Sequence, residues 1–178
     1  MYTAGQFVRY GTNGICRIEE ITTREFAGEK LLYYVLKPIG QESATLYVPV
    51  HNEKLVSRMQ RLLSAQEIEQ IIGAMKDEQS IWITEDVKRR QFFSEILQSG
   101  DRLAMARMIK ALFLRRQELL QKRKKLHMAD ERLLKEAERV LYEEFAYVLD
   151  IEENKVMSYI QEKLKRAGEA SLEGGEEG

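Results

Sequence analysis

The hydrophobic period of this chain changes once, near residue 50, and that change limits what it can fold into. Ahead of it, strand-forming residues come in short runs punctuated by glycine. The runs are 6–10 between Gly5 and Gly11, 15–21 after Gly14, 31–36 after the Ala27-Gly28-Glu29 turn signal, and 44–49 after Pro38 and Gly40. In the second run the alternation of Cys16 and Ile18 breaks before Ile21. Four or five strands in about 50 residues are too few for a sandwich, so a small, strongly bent sheet or barrel is expected, closure removing exposed edges.

From residue 52 onward the spacing is helical. Ser64-Ala65-Gln66-Glu67 has the form of a capping box and opens a run with Ile68, Ile71, Ile72 and Met75. Thr84 is placed to cap a helix carrying Val87, Phe92, Phe93, Ile96 and Leu97, which Ser99-Gly100 ends. Asp101 starts the next, with Leu103, Ala106, Ile109, Leu112 and Phe113 along it. Its Arg115 and Arg116 sit toward the end where the helix dipole favours cations. Asp130 is read as the start of a helix through Leu134, Ala137, Leu141 and Phe145. Asp150-Ile151-Glu152-Glu153 reads as a second capping box, leading into Val156, Tyr159, Ile160 and Leu164. The Gly/Glu-rich end is expected to be disordered. The sequence predicts an α+β chain: a β domain over 1–60, a domain of about five helices over 61–167, and a disordered acidic tail over 168–178.

At 178 residues, 44% hydrophobic and 32% charged, the chain can bury a core without a disulfide or metal staple. No apolar run approaches the roughly 20 residues of a membrane helix, and the N-terminus lacks a signal-peptide pattern. The single cysteine, Cys16, fits a reducing compartment, so a cytoplasmic protein without a membrane partner is expected. Cys16, His51 and His127 fall in different elements, which gives no reason to expect a metal. Cys16 reads as core packing rather than as a nucleophile. Gly11-Thr12-Asn13-Gly14 lacks the Gly-Lys-Ser/Thr ending of a phosphate loop and joins two strands, where a hairpin turn accounts for it. Glu19-Glu20, Glu143-Glu144 and Glu152-Glu153 are adjacent pairs whose side chains diverge, so they form no acid/base dyad. With no catalytic constellation, neither an enzyme nor a cofactor is expected.

The net charge of -1 hides an asymmetry: segment 1–76 carries +1, 77–126 carries +5 and 127–178 carries -7. Such a basic middle is either a set of solvated helix faces or a surface that binds a polyanion. All 12 bases of the middle segment lie within 88–125, and between 87 and 126 only Glu95, Asp101 and Glu118 oppose them. That leaves too few partners, and favours a face for phosphates. The candidates are Lys88, Arg89 and Arg90 on one helix, then Arg107, Lys110, Arg115 and Arg116 on the next. Lys122 and Lys125 bound a basic run at its end or in the connection beyond. Trp82, the only tryptophan, stands just before these helices between Ile81 and Ile83. It is either a core anchor or a ring that stacks on or wedges between bases.

The order of these features resembles the CarD/CdnL family of bacterial RNA polymerase-binding transcription regulators, whose β module also occurs in transcription-repair coupling factors. The resemblance rests on Ala4-Gly5-Gln6-Phe7-Val8-Arg9-Tyr10, Asn13-Gly14-Ile15, Ile21 and Gly28-Glu29-Lys30. It continues through Tyr34-Val35-Leu36-Lys37, Val48-Pro49-Val50 and Asn52. In the helical part it takes in Glu95-Ile96-Leu97-Gln98-Ser99-Gly100-Asp101, then Ala137, Leu141 and Glu144, and spans about residues 4–165 in all.

The resemblance implies a Tudor-like N-terminal domain that docks on the RNA polymerase β subunit, and a helical domain that touches promoter DNA at the upstream edge of the bubble. Such a monomeric, nucleoid-associated regulator would stabilise the open complex. Arg24 stands where the family places a polymerase-contacting arginine, and Tyr47 replaces a second, so Arg24, Tyr47 and Pro49 are the expected docking residues. Gly11 replaces an expected proline. The family's wedge tryptophan aligns with Asp86, four residues after Trp82, while Lys88 and Arg89 match its two following bases. Gln91 replaces the next base, with Arg90 beside it. The alternative is an adaptor that binds polymerase or another protein without direct DNA contact.

Overall fold

In the computed structural model, which describes residues 1–41, 43–77 and 82–173, the strand-forming half makes an antiparallel sheet of five strands. These are β1 (Phe7–Tyr10), β2 (Ile15–Phe26), β3 (Glu29–Pro38), β4 (Leu46–Pro49) and β5 (Met59–Arg61), in the order β4-β3-β2-β1-β5. Ala27 and Gly28 join β2 to β3 with φ of 51° and 84°. Two consecutive positive φ values belong to the primed turns that match strand twist. The break in alternation after Ile18 is a bulge: Ile18 pairs with Leu36 but Glu20 with Val35. The extra residue re-aims β2 beyond it. Val8, Tyr10, Cys16, Ile18, Tyr34, Leu36, Val48 and Met59 form this unit's core. Cys16 is fully buried there.

Helical spacing from residue 52 predicts no strand at 59–61, yet β5 pairs with β1, Val8 opposite Arg61 and Tyr10 opposite Met59. Three residues carry no readable period, and only the docking of α1 (Glu53–Val56) brings them back to the sheet. Asn52 caps α1 by accepting from the Leu55 amide at 3.1 Å.

The chain divides after Leu62, and the second unit is helical. Its elements are α2 (Ala65–Asp77), α3 (Asp86–Ser99), α4 (Arg102–Gln121), α5 (Met128–Leu149) and α6 (Val156–Glu173). The capping box ahead of α2 closes in both directions, Ser64 N to Glu67 Oε2 at 2.8 Å and Glu67 N to Ser64 Oγ at 3.2 Å. Asp101 caps α4 by accepting from the Ala104 amide at 2.9 Å, and Gly100 ends α3 at φ 72°. Ile68, Ile72, Phe93, Leu97, Met105, Leu112, Leu134, Leu141, Phe145 and Val156 are among the buried core.

Three expected starts move. Glu85, not Thr84, precedes α3, and the Thr84 carbonyl instead accepts from the Arg89 side chain. α5 begins two residues earlier than Asp130, at Met128: His127 Nδ1 accepts from the Ala129 amide at 3.3 Å. Asp150 ends α5 in the left-handed conformation (φ 53°) instead of opening a capping box, and a 3-10 turn at Glu153–Lys155 leads into α6. On α3, Val87 and Phe92 are exposed while Phe93 and Leu97 are buried. Of the acidic end, 168–173 continue α6, and 174–178, like Ile81, lie outside the described residues.

Candidate functional site

Each unit carries one array of side chains that its core does not use. In the sheet, a period of two puts Arg24 and Phe26 of β2 on one face with Leu31 and Tyr33 of β3 and Tyr47 and Pro49 of β4. The Arg24 guanidinium lies 4.5 Å above the Tyr47 ring. Tyr33 meets Tyr47 edge-on at 6.3 Å, and Phe26 leans on Tyr33 at 6.1 Å. Pro49 sits opposite Tyr33 in register, so all three expected docking residues share one face, Tyr47 and Pro49 on the edge strand β4 and Arg24 on the central strand β2. The sequence reading missed Phe26, 57% exposed, and Tyr33 beneath it. Their signal was the spacing of Arg24 from Phe26 and of Leu31 from Tyr33, once β2 and β3 are paired.

In the helical unit the start of α3, the end of α4 and the start of α5 come together, and Arg89 is the pin. Its Nε and Nη2 donate to the two Asp130 oxygens at 3.3 and 2.7 Å, and Nη2 also donates to Asp86 at 2.7 Å. Nη1 donates to the carbonyls of Ile83 and Thr84 at 2.9 and 3.3 Å, fixing the chain ahead of α3. Both ends of the Arg89–Asp130 pair are buried, at 3% and 1% exposure. Burial works against the Arg89 charge, but its carboxylate bonds outweigh this and hold its pKa above the ordinary value. The Arg89 bond holds the Asp86 carboxyl below its own. The expectation that Arg89 offers its charge to a ligand is therefore corrected: it is an interior strut, because an unpaired Asp130 inside the unit would be far costlier than a buried pair.

Arg90, half-buried, lies 3.5 Å from Asp86 and 3.7 Å from Asp130, at the margin of the same cluster. Trp82 is half-buried against the helical core, with the Arg89 guanidinium 4.5 Å and the Arg115 guanidinium 5.5 Å from its ring centroid. Lys110 also leaves the face, its Nζ donating to the Met75 carbonyl near the end of α2, where the dipole favours a cation. Arg107 is exposed but stands two turns from Arg115, about 12 Å along α4.

The other candidates are Lys88 at the start of α3 and a group toward the end of α4 and beyond. Lys88 is exposed and pairs with Glu85 at 2.7 Å, and Arg115 pairs with Glu118 at 3.0 Å. Arg116 binds Glu131 at 3.1 Å and lies 5.6 Å from the Phe113 ring centroid. Lys122, Arg123, Lys124 and Lys125 form the exposed connection to α5, with Arg123 at φ 56°. Among the described residues none of these four makes an ion pair. The α4–α5 corner also holds a groove bordered by Arg132 and Lys135 of α5, which the sequence reading missed. Their charge was masked by the acidic total of 127–178, although they lie in its first turns. Among the described residues no three His, Cys, Asp or Glu side chains converge as metal ligands, and no helix is long and apolar enough to cross a membrane.

Comparison with protein families matches residues 2–62 to the CarD-like/TRCF RID domain and residues 70–161 to the CarD C-terminal domain. Two cores, one built on a five-stranded sheet and one on helices, thus coincide with two matches in the order that the family has them. The chain belongs to the CarD/CdnL family of RNA polymerase-interacting transcription regulators.

Proposed function

We propose that this protein docks on the polymerase β subunit through the sheet face of Arg24, Tyr47 and Pro49, and grips promoter DNA near the upstream edge of the bubble through the basic corner of its helical unit. The observation that carries the DNA half is the α4–α5 connection, whose four exposed cations make no ion pair among the described residues and follow Arg115 and Arg116 along the chain. Lysine and arginine contacts to phosphate release counterions and give affinity without reading sequence. Arg90 sits at the edge of this set, and Trp82 serves it as the platform on which Arg115 lies.

On the sheet, an arginine stacked on an aromatic cluster beside an open strand edge is a chemistry suited to a partner's extended segment. Docking there turns DNA contact into an intramolecular event at high effective concentration, so a modest basic corner suffices. A ligand that binds the open complex better than the closed one shifts the equilibrium toward the open complex by that difference, and it slows collapse where its contacts are lost before the barrier to closing.

The test is the lifetime of open complexes on a ribosomal RNA promoter, with wild type and with a Lys122→Glu/Lys125→Glu variant. Wild type should lengthen the lifetime, and the variant should bind polymerase yet lose the effect. A lengthening retained by the variant removes the connection from the DNA face. No lengthening by wild type, with polymerase binding intact, would leave an adaptor without DNA contact.

A further inference from the structure

A phosphate grip does not account for the groove at the α4–α5 corner. Its floor is Leu120, Leu126 and Met128, and Leu120 and Met128 are 52% and 67% exposed. Lys125, Arg132 and Lys135 stand on its rim. Glu131, which also borders it, is held by Arg116. An Arg132 N–H donates to Met128 Sδ at 3.5 Å, holding the thioether at the edge of the guanidinium. The cavity is about 690 Å³, within the roughly 300–1,000 Å³ of small-molecule pockets.

Large apolar side chains exposed beside several cations do nothing for the fold, but they match a ligand that is apolar, flat and anionic in one piece. A nucleotide with its base turned out of the stack is such a ligand: the base meets the floor and its phosphates meet the rim. Paired bases are stacked inside the duplex and present only their edges, so they cannot reach a concave floor. Met sulfur and a guanidinium plane both make favourable contacts with an aromatic ring. An acidic peptide would match the rim as well. The basic connection running out of the groove at Lys125 favours a polyanion that continues along it.

We propose that this groove takes the base of an unpaired nucleotide, so that the protein prefers DNA with a single-stranded junction to duplex. This rests on the basic corner being the DNA face. The test uses the full chain with ¹³C-labelled methionine methyls, titrated with a duplex and with the same duplex carrying a short unpaired tract. The Met128 methyl should move upfield by ring current with the junction DNA only, and junction DNA should bind at least fivefold tighter. A Leu120→Ser/Met128→Ser variant, folded by thermal unfolding, should bring the two affinities together. Equal affinities in wild type, or a preference kept by the variant, overturn the groove and leave the DNA face standing. Binding to neither DNA overturns both. A Met128 shift produced by an acidic amphipathic peptide but not by junction DNA also overturns the proposal and assigns the groove to a protein partner.

Discussion

Arg89 and Lys124 belong to the same basic stretch of sequence and have opposite fates. Arg89 is 3% exposed and spends every donor on Asp130, Asp86 and two backbone carbonyls, whereas Lys124 stands in solvent in the α4–α5 connection. Arg102 repeats the first pattern: its Nε and Nη2 bond both oxygens of buried Glu144, each at 3.0 Å, and Glu144 also accepts from the Leu63 amide. The difference teaches that a surplus of bases is not yet a binding face. The carboxylates that draw Arg89 and Arg102 inward come from α5, a segment whose acidic total made it look like the opposite of a partner. What stays outside pairs only at the surface, as Lys88 does with Glu85 and Arg115 with Glu118, or, like Lys122 to Lys125, makes no ion pair among the described residues.

The largest test of that contrast is Arg89→Ala. It leaves Asp130 buried without its partner and should lower the unfolding free energy by about 3–5 kcal/mol in a urea titration. A loss under about 1 kcal/mol would mean that the pair is wet and the contrast is wrong. Trp82→Ala removes the ring between Arg89 and Arg115 and should cost about 2 kcal/mol of stability, more than an exposed ring would. Unchanged stability would return Trp82 to the ligand-facing set. Arg24→Glu, in the sheet, should leave the melting temperature alone and weaken polymerase binding by about 2 kcal/mol, measured by a pull-down series or calorimetry.

Lys122→Glu/Lys125→Glu should change stability by no more than about 0.5 kcal/mol. It should weaken DNA association about tenfold, with the salt slope flatter by about 2. A large loss of stability there would place the connection with the struts.

The smallest effects separate two neighbours on α5. Burial pushes the Glu138 carboxyl above its ordinary value, while the Arg139 bond holds Glu136 below its own. Ionised Glu138 therefore subtracts from stability at neutral pH, and the penalty fades as pH falls through the carboxylate range. Glu136 contributes stability above that range, lost as pH falls through its lowered pKa. Glu138→Gln should stabilise at pH 7 and become neutral near about pH 4, whereas Glu136→Gln should destabilise at pH 7 by less than about 1 kcal/mol. Unfolding curves at the two pH values read both signs.

Local signals carried much of the fold. The reciprocal bonds of Ser64 and Glu67, the Asp101 cap and the left-handed Gly100 are where short-range chemistry puts them, because each partner is three residues away or less. The bulge was already visible as a broken alternation before Ile21, since a two-residue period cannot absorb an extra residue silently. Asp130 and Asp150 misled for one reason: each has the right residue type for a cap, but a tertiary or helix-end demand claimed it first. Strand β5 had no local signal at all, as its pairing partner β1 lies some 50 residues earlier.

By itself, then, the chain's order of residues determined the two classes of structure, their sequence along the chain, the starts of α2 and α4, the end of α3 and the basic stretch, all of which depend on near neighbours. Only the tertiary structure decided which bases become struts and which remain exposed. It also lined up Arg24 and Tyr47 across β2 and β4 and brought Leu120 beside Met128 and Arg132. Those choices turn on charges and apolar groups that meet across 8 to 42 positions of sequence. At that separation a residue's own type no longer says whether water or another side chain will be its partner.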